Sequence, residues 1–380
     1  MSRNFLKWLP AIVIPTVVVA AVIAVPFQAG AAVDLPDKTP EQILLMVNDT
    51  SVSAFSGAVT QSADVGLPDL GAARGMSETM QKSAADNVPA GNQSLSASGA
   101  LSTAMEFLSG SHDFRVFFNG TDQSRVQLQD RMAEKNLVRN GDEVWLYDSK
   151  VNEATHLTIS AELAATAKEK AAAFESKLPT QVSTPDEIAR SILKNLDPST
   201  TISVGTDSRV AGRSVYELVL TPKSVDTLVA SVSIAVDSET GFPLQITILA
   251  DGQNAPAMKV GYTSIDLSAP NANVFDFVPP ANATVIDQVL PALPEAASGP
   301  NGPISNEHAV VTGAGWSSIL AVPASPETSA FVTNRALEQL TEQVDGGRAV
   351  STSLLTVFLT ADGRIFAGAV PLSALQAAAR

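Results

Sequence analysis

A run of alternating residues between Ala211 and Pro280 is the feature that most constrains the fold of this chain. Val or Ile stands at every second position of Val232–Val236, and Leu or Ile does so in Leu244–Ile248. Turn residues separate these segments, as in Ser238–Gly241. Period-two alternation bounded by Gly, Pro and Asp is typical of half-buried strands. Many short strands in succession predict a curved antiparallel sheet that forms an incomplete β-barrel, because curvature toward closure removes exposed edges.

Further strands are predicted upstream of this run. Phe55–Thr60 and Phe114–Asn119 have the composition of strands, and Arg125–Gln129 follows them. Leu137–Tyr147 predicts a hairpin around Asn140-Gly141, because Asn-Gly suits a tight turn between two strands. The sheet is therefore expected to begin near residue 55 and to continue through residue 280.

Amphipathic helices are predicted beside the strands. Thr39-Pro40-Glu41-Gln42 has the pattern of a capping box with proline at the first helical position, and Ile43 and Val47 then share one face. Thr184-Pro185-Asp186-Glu187 begins a second such helix, with Ile188 and Ile192 on its apolar face. The Ala-, Glu- and Lys-rich segment Ser160–Leu178 predicts a surface helix.

Several motifs together resemble the LolA-like superfamily, the envelope lipoprotein carriers and their relatives. They are "SAFSGAVTQ", "HDFRVFFNG", "VRNGDEVWLYDS", "VYELVLTP", "VSIAVDSETGFPLQITILADG" and "NVFDFVPPANATV", in this order between Asp37 and Asp287. The resemblance implies helices that cover the open side of the curved sheet. It also implies an apolar cavity beneath them, with Ile43, Val47, Ile188 and Ile192 on the lid helices.

Composition divides the chain into four parts. Residues 1–31 are predicted to be a signal peptide, and residues 32–287 to be the LolA-like domain. Residues 62–99 are rich in Ser, Ala, Gly and Asp and predict a flexible insertion, with a functional lid as the alternative. Residues 288–303, rich in Pro, Ala and Gly, predict a linker before a small α+β module at residues 304–380. Sigma-factor regulators that sense envelope stress are similar in having a LolA-like domain followed by a smaller one.

The N-terminus has the pattern of an export signal. Arg3 and Lys7 precede the uncharged apolar segment Leu9–Val25, and Ala29-Gly30-Ala31 fits a cleavage site. The alternative is an uncleaved membrane anchor through residues 9–25, although that segment is short and contains two prolines. Either reading predicts an exported protein of the periplasm or extracytoplasmic envelope.

The sequence gives little sign of catalysis, cofactors or metal. A net charge of -15 argues against nucleic acid as a partner, and the absence of cysteine excludes disulfides and thiolate chemistry. The three histidines lack metal-site spacing, and no motif for nucleophilic or phosphate chemistry is present. Ser111-His112-Asp113 has the residue types of a triad, but neighbours on a strand face opposite sides. We therefore predict a protein without enzymatic activity.

An apolar cavity remains as the candidate site. Its predicted lining consists of the large apolar residues at alternating strand positions, which are Phe114, Val116, Phe118, Trp145, Tyr147, Leu218, Leu220, Ile246 and Ile248. Such a surface suits acyl chains, whose burial contributes about 0.8 kcal/mol per CH₂. The alternative is that the same residues pack against the covering helices as an ordinary core.

Three functions are compatible with these features. The first is a carrier that holds the acyl chains of a lipid or lipoprotein and delivers them to a membrane protein such as a transporter. The second is an envelope-stress regulatory module that binds a membrane anti-sigma factor, with lipid as the signal. The third is a membrane-anchored structural protein.

Overall fold

The computed structural model describes residues 33–66, 109–130, 133–159, 199–290, 310–325 and 341–380. Several predicted elements lie outside these residues. They are the signal segment, most of the insertion and linker, the helix at residues 160–178, and the helix that carries Ile188 and Ile192.

A large sheet dominates the described part of the chain. Its strands are β1 (Ala54–Asp64), β2 (Ser109–Asn119), β3 (Gln123–Asp130), β4 (Ala133–Asn140), β5 (Glu143–Asp148), β6 (Glu153–Ile159), β7 (Thr200–Val204), β8 (Ser208–Val210), β9 (Arg213–Pro222), β10 (Val229–Asp237), β11 (Pro243–Ala250), β12 (Pro256–Asp266) and β13 (Thr284–Leu290).

The strand order of this sheet is β13-β6-β5-β4-β3-β2-β1-β12-β11-β10-β9-β7, and β8 pairs with β9 beside β7. All neighbours are antiparallel except β13, which is parallel to β6. Because β7 and β13 are not paired with each other, the sheet is open and is not a closed barrel. Open sheets of more than about ten strands curl, so curvature is expected from the strand number alone. The prediction of an antiparallel sheet is confirmed apart from its one parallel edge.

The local signals in the sequence have their expected structures. The Asn140-Gly141 hairpin joins β4 to β5, and Gly141 has a φ of 65°, in the left-handed region. The boundaries of two strands extend further than the composition indicated. β1 runs to Asp64, into the predicted insertion, and β13 runs to Leu290, into the predicted linker.

Helix α1 (Pro40–Asn48) lies on one face of the sheet. The predicted capping box is present, since the Gln42 amide donates to Thr39 Oγ1 and the Thr39 amide donates to Gln42 Oε1. Ile43 is fully buried in a cluster with Tyr216, Leu218 and Val236. We call this side of the sheet the helix face.

A strap crosses the opposite side of the sheet, which we call the strap face. Residues 267–283 form the strap, and its short 3-10 helix, Ala272–Phe275, lies against β3 and β4. Phe275 is only 1% exposed there. Arg125 Nη1 donates to the Val274 carbonyl at 2.9 Å, and Asn152 Nδ2 donates to the Asn282 carbonyl at 2.8 Å. These bonds fix both halves of the strap to the sheet.

The turn between β10 and β11 is held by an ion pair. Asp237 is 1% exposed and accepts two hydrogen bonds from the Arg213 guanidinium, at 2.8 and 2.9 Å. The Thr240 amide also donates to Asp237, and Arg213 binds Glu239 at 2.7 Å. Burial raises the pKa of Asp237, but the bonds from Arg213 and Thr240 outweigh it, so the pKa lies below its usual value.

Replacing Arg213 by Met should destabilise the fold, because it leaves the Asp237 carboxylate buried without its cation. We expect a loss of about 2 kcal/mol at neutral pH, below the 3–5 kcal/mol of fully buried pairs because Arg213 is partly exposed. A depressed pKa adds stability above the unfolded value, so the contribution disappears as the pH falls through the folded pKa. Urea unfolding of the wild type and the variant at neutral and acid pH measures this, and equal stabilities at neutral pH would contradict it.

A second sheet of six strands forms the C-terminal part. It contains β14 (Val310–Thr312), β15 (Ile319–Val322), β16 (Glu342–Val344), β17 (Gly347–Ser351), β18 (Thr356–Thr360) and β19 (Ile365–Gly368), in the order β14-β15-β19-β18-β17-β16. Helix α2 (Leu372–Ala378) covers one face of it, with Leu375 buried on Phe358 and Phe366. Just before β15, residues 315–317 form a 3-10 turn.

The second sheet contacts the large sheet directly. The Leu228 amide and the Thr227 hydroxyl both donate to the Ala369 carbonyl, at 2.8 and 2.9 Å. Trp316 Nε1 donates to Thr200 Oγ1 at 2.8 Å. These bonds join the start of β7 and the β9–β10 loop to the second sheet.

Candidate functional site

The strand register determines which side chains share the helix face. Residues directly opposite each other on neighbouring strands point to the same side of a sheet. Leu218 pairs with Ile234, which pairs with Ile246, and this row continues through Val260 to Gln61 on β1. Since Leu218 lies under α1, the whole row belongs to the helix face.

Seven of the nine predicted lining residues lie on the helix face. Phe114, Val116 and Phe118 pair with Val59, Gly57 and Phe55, on the same side of β1 as Gln61. The other four are Leu218, Leu220, Ile246 and Ile248.

Trp145 and Tyr147 lie on the strap face, which corrects the prediction that they share a surface with Phe114. Leu137 pairs with Leu146, so the residues on either side of Leu146 point away from the helix face. Their rings lie 5.5 and 5.8 Å from the ring of Phe277 in the strap. Both side chains are therefore part of the contact that holds the strap.

The seven residues on the helix face differ in their solvent exposure. Leu218 is 2% exposed, and Leu220 packs against the same cluster beneath α1, so these two belong to a helix-covered core. Of the predicted lid residues, Ile43 and Val47 make this contact. Ile246, in contrast, is 44% exposed. Ile248, Phe114 and Phe118 are half-buried, and Val116 is buried.

The register adds apolar residues that the sequence did not single out. Val116 pairs with Val126, which pairs with Leu137, which pairs with Leu146. Leu137 is 44% exposed, and Val126 and Leu146 are half-buried. The Asn140-Gly141 turn could have identified Leu137 and Leu146 as a pair, because it fixes which residues of β4 and β5 face each other.

This row forms a shallow apolar groove across the strands of the helix face. Its floor consists of Gly57, Val116, Val126, Leu137 and Leu146. On β2 the larger rings of Phe114 and Phe118 stand on either side of Val116. With strands about 4.8 Å apart, the floor extends about 19 Å from β1 to β5. We call it the apolar groove.

Aromatic rings stand at the β1 end of the apolar groove. The ring of Phe55 lies 4.9 Å from Phe118, 4.9 Å from Phe242 and 6.2 Å from Tyr262. Tyr262 lies so close over Gly57 that a Cβ built on that glycine would be 2.9 Å from Tyr262 Cδ1. Burial raises the pKa of Tyr262 to about 12. The rings therefore form an apolar wall at this end.

Leu137 in the floor of the apolar groove is 44% exposed. The predicted lid residues Ile188 and Ile192 lie outside the described residues, so an enclosed cavity at the groove stays a prediction. A cavity of about 370 Å³ lies elsewhere, between the arm that precedes α1 and strands β7 and β9. Asp37, Lys38, Asp207 and Tyr216 contribute to its walls. Because these side chains are mostly polar, this cavity does not match the predicted lipid site.

Ser111, His112 and Asp113 are not brought together as a triad. The Ser111 hydroxyl donates to the Gln61 carbonyl at 3.1 Å, and the Thr60 hydroxyl donates to Asp113 at 2.7 Å. Within the described ranges, no group of three metal-ligating side chains is placed to hold an ion. None of the helices in that part of the chain has the length and apolar character needed to cross a membrane.

Comparisons with known proteins give matches only among solved structures. A scan of protein-family models found no match, and neither did a search of curated proteins. The MucA/MucB complex from Pseudomonas aeruginosa aligns with a TM-score of 0.40 and 13% identity, over 89% of this chain and 96% of that chain. A LolA superfamily protein from Nitrosomonas europaea aligns with a TM-score of 0.23 and 13% identity, over 63% of this chain and 99% of that chain. The superfamily that the sequence motifs resemble is thus among the matches, but at these scores the likeness carries no argument about function.

A histidine cluster lies on the strap face and was not predicted. His156 on β6 stacks on Trp145, with ring centroids 4.2 Å apart and planes at 14°. One ring nitrogen bonds Asp287 on β13 at 2.9 Å, and the other bonds Glu143 on β5. Burial lowers the pKa of His156, but these two carboxylates outweigh it and the pKa lies above its usual value.

Stability should therefore fall slightly as the pH rises through the His156 pKa. A raised folded pKa adds stability that is fully present below the unfolded value of about 6.5 and is lost above the folded one. Because Glu143 and Asp287 are 50% and 78% exposed, we expect an effect of only ~0.5–1 kcal/mol. Urea unfolding between mildly acidic and mildly basic pH, with His156→Gln as the control, measures it. An equal pH dependence in the variant would show that His156 is not the source.

Proposed function

We propose that this chain is a non-enzymatic, exported protein of the cell envelope that binds the acyl chains of a lipid or lipoprotein on its helix face. The observation that carries the proposal is the open apolar groove. Leu137 in its floor and Ile246 on β11 are each 44% exposed, on the same face as half-buried Phe114 and Phe118. Large exposed apolar surfaces are uncommon on soluble proteins and mark binding sites.

Energetics favour an acyl chain as the ligand. Each methylene that leaves water contributes about 0.8 kcal/mol, so a chain lying along the groove gains affinity without any polar contact. The floor offers the apolar side chains that such a chain needs, from Val116 through Leu146. A carrier requires binding of this kind and no bond-making step.

Transfer of a fluorescent acyl probe tests this proposal. The mature protein, stripped of lipid by organic extraction and refolded, is mixed with vesicles that contain a phospholipid with one fluorescent chain. We expect the probe to move to the protein and to be displaced by an unlabelled fatty acid. Protein that is folded by circular dichroism and takes up no probe would contradict the proposal.

A second candidate is a regulatory module in which lipid controls the binding of a membrane protein such as an anti-sigma factor. The second sheet favours it, because a six-stranded sheet hydrogen-bonded to the large sheet at Thr227, Leu228 and Thr200 adds nothing to a carrier's groove. Such a sheet provides a further surface for a protein partner.

Capture from solubilised membranes separates the two candidates. The full chain is immobilised with and without bound fatty acid, and retained proteins are identified by mass spectrometry. A regulator should retain one membrane protein in a lipid-dependent manner. A carrier should retain the same proteins whether or not the fatty acid is present.

A further inference from the structure

The β1 end of the apolar groove is closed by a tyrosine ring. Tyr262 pairs with Val59 across β1 and β12, so its side chain is on the helix face. The ring runs beside Gly57, and a Cβ at that position would lie 2.9 Å from Cδ1 and 3.1 Å from Cε1. Only a glycine leaves room for the ring to lie across β1 at this point.

The ring is held in place from several sides. Phe55 lies edge-on to it at 6.2 Å, and Phe242 is 6.0 Å away. It also packs against a cluster that includes Leu244, which is 1% exposed. No hydrogen bond ties the Tyr262 hydroxyl to another of the described residues, so packing alone positions the ring. A side chain wedged in this way is a fixed barrier on the groove floor.

The two ends of the groove differ in polarity. Beyond Leu146 on β5 the row continues to Thr155 on β6, which carries a hydroxyl. At the other end the row meets the aromatic rings around Gly57. An amphiphile should therefore lie with its terminal methyl group toward Tyr262 and its polar group toward β6.

We infer that Tyr262 is the end stop of the apolar groove and sets the longest acyl chain that lies fully within it. This inference rests on the proposed function, since it assigns the selectivity of the same site. A chain that reaches the ring gains nothing from further methylenes, because they have no apolar floor to cover. Removal of the ring exposes the floor across β1, which adds about one strand spacing of ~4.8 Å.

Binding of saturated fatty acids from decanoic to eicosanoic acid tests the inference. For the wild type we expect affinity to rise by up to about fourfold per methylene and then to level off at one chain length. In Tyr262→Ala the plateau should move to longer chains by about four carbons, which corresponds to one strand spacing. Tyr262→Phe keeps the ring and should keep the wild-type profile. Identical profiles in the wild type and the Ala variant would overturn the inference, whereas a wild type that binds no fatty acid would overturn the proposed function instead.

If the Tyr262→Ala variant does not fold, photocrosslinking of the wild type tests whether Tyr262 is the end stop. A fatty acid with a diazirine at its terminal carbon is bound and irradiated, and the labelled peptides are identified by mass spectrometry. We expect labels on the peptides that contain Phe55 to Gly57, Phe118 or Tyr262. Labels concentrated around Leu146 and Thr155 would mean that the chain lies in the opposite direction, and that Tyr262 is not its end stop.

Discussion

Changing Leu137 to Asp should lower the affinity for an acyl probe by at least about tenfold. A leucine side chain contributes ~1.5–3 kcal/mol when it is fully buried by a ligand, and about 1.4 kcal/mol corresponds to a factor of ten. Because Leu137 is 44% exposed in the free protein, the variant should lose no more than ~1 kcal/mol in free energy of unfolding. Probe titration and urea unfolding measure the two quantities.

Val285 provides a matched control for the Leu137 substitution. It is also 44% exposed, but it pairs with Ala154 on the strap face, away from the apolar groove. Val285→Asp should therefore leave probe affinity within about twofold of the wild type, because the charge is far from the ligand. An equal loss of affinity in the control would indicate that the helix face has no special role.

Gly241→Ala should destabilise the fold strongly, with an expected loss of about 4 kcal/mol. Gly241 has a φ of 72°, which costs any other residue about 1–2 kcal/mol. A Cβ at this position would also lie 1.9 Å from the carbonyl oxygen of Met46 in α1. The helix would have to move away, and part of the burial of Ile43 would be lost. Chemical denaturation measures the loss.

Gly252→Ala isolates the contribution of the helix contact. Gly252 has a φ of 73° in the β11–β12 turn, and a Cβ there would meet no atom within 4 Å. Its substitution should therefore cost only the ~1–2 kcal/mol of backbone strain. The difference between the two variants then measures how strongly the β10–β11 turn holds α1. Equal losses would mean that α1 does not depend on the turn.

Much of the fold could be predicted because its signals are local. Alternation in Val232–Val236 and Leu244–Ile248 indicates strands wherever the partner strands lie, and both segments are strands. The capping box at Thr39 and the turn at Asn140-Gly141 likewise depend on a few neighbouring residues, and both are present. Such features require no knowledge of tertiary contacts.

The side of the sheet to which each side chain points could not be predicted with the same success, because it depends on the register between distant strands. The alternation of Trp145 and Tyr147 shows that they share a side, but not which side. Only pairing with β4, β3 and β2 places them opposite Phe114. Phe277 of the strap contacts both rings, and it is 130 residues further along the chain than Tyr147. A contact between residues so far apart in sequence leaves no local signal. A shift by one residue in register would have exchanged the two faces.

The two faces of the sheet therefore differ in how their apolar side chains are covered. The strap face is closed by Phe275 and Phe277, which pack on β3–β5 and fix the last strand of the sheet. The helix face is covered by α1 over β9 and β10, but it leaves Leu137 and Ile246 exposed. An acyl chain on the helix face would complete the burial of apolar surface that the chain itself leaves open.

Native mass spectrometry of the protein, expressed with its own N-terminal segment and purified without detergent, tests directly whether the apolar groove binds acyl chains. We predict a bound lipid that is released by organic extraction, and whose chains then identify the ligand class. The Leu137→Asp variant, purified in the same way, should carry less of it. A wild-type protein that is free of lipid, and remains so after incubation with vesicles, would contradict the claim that the apolar groove binds acyl chains.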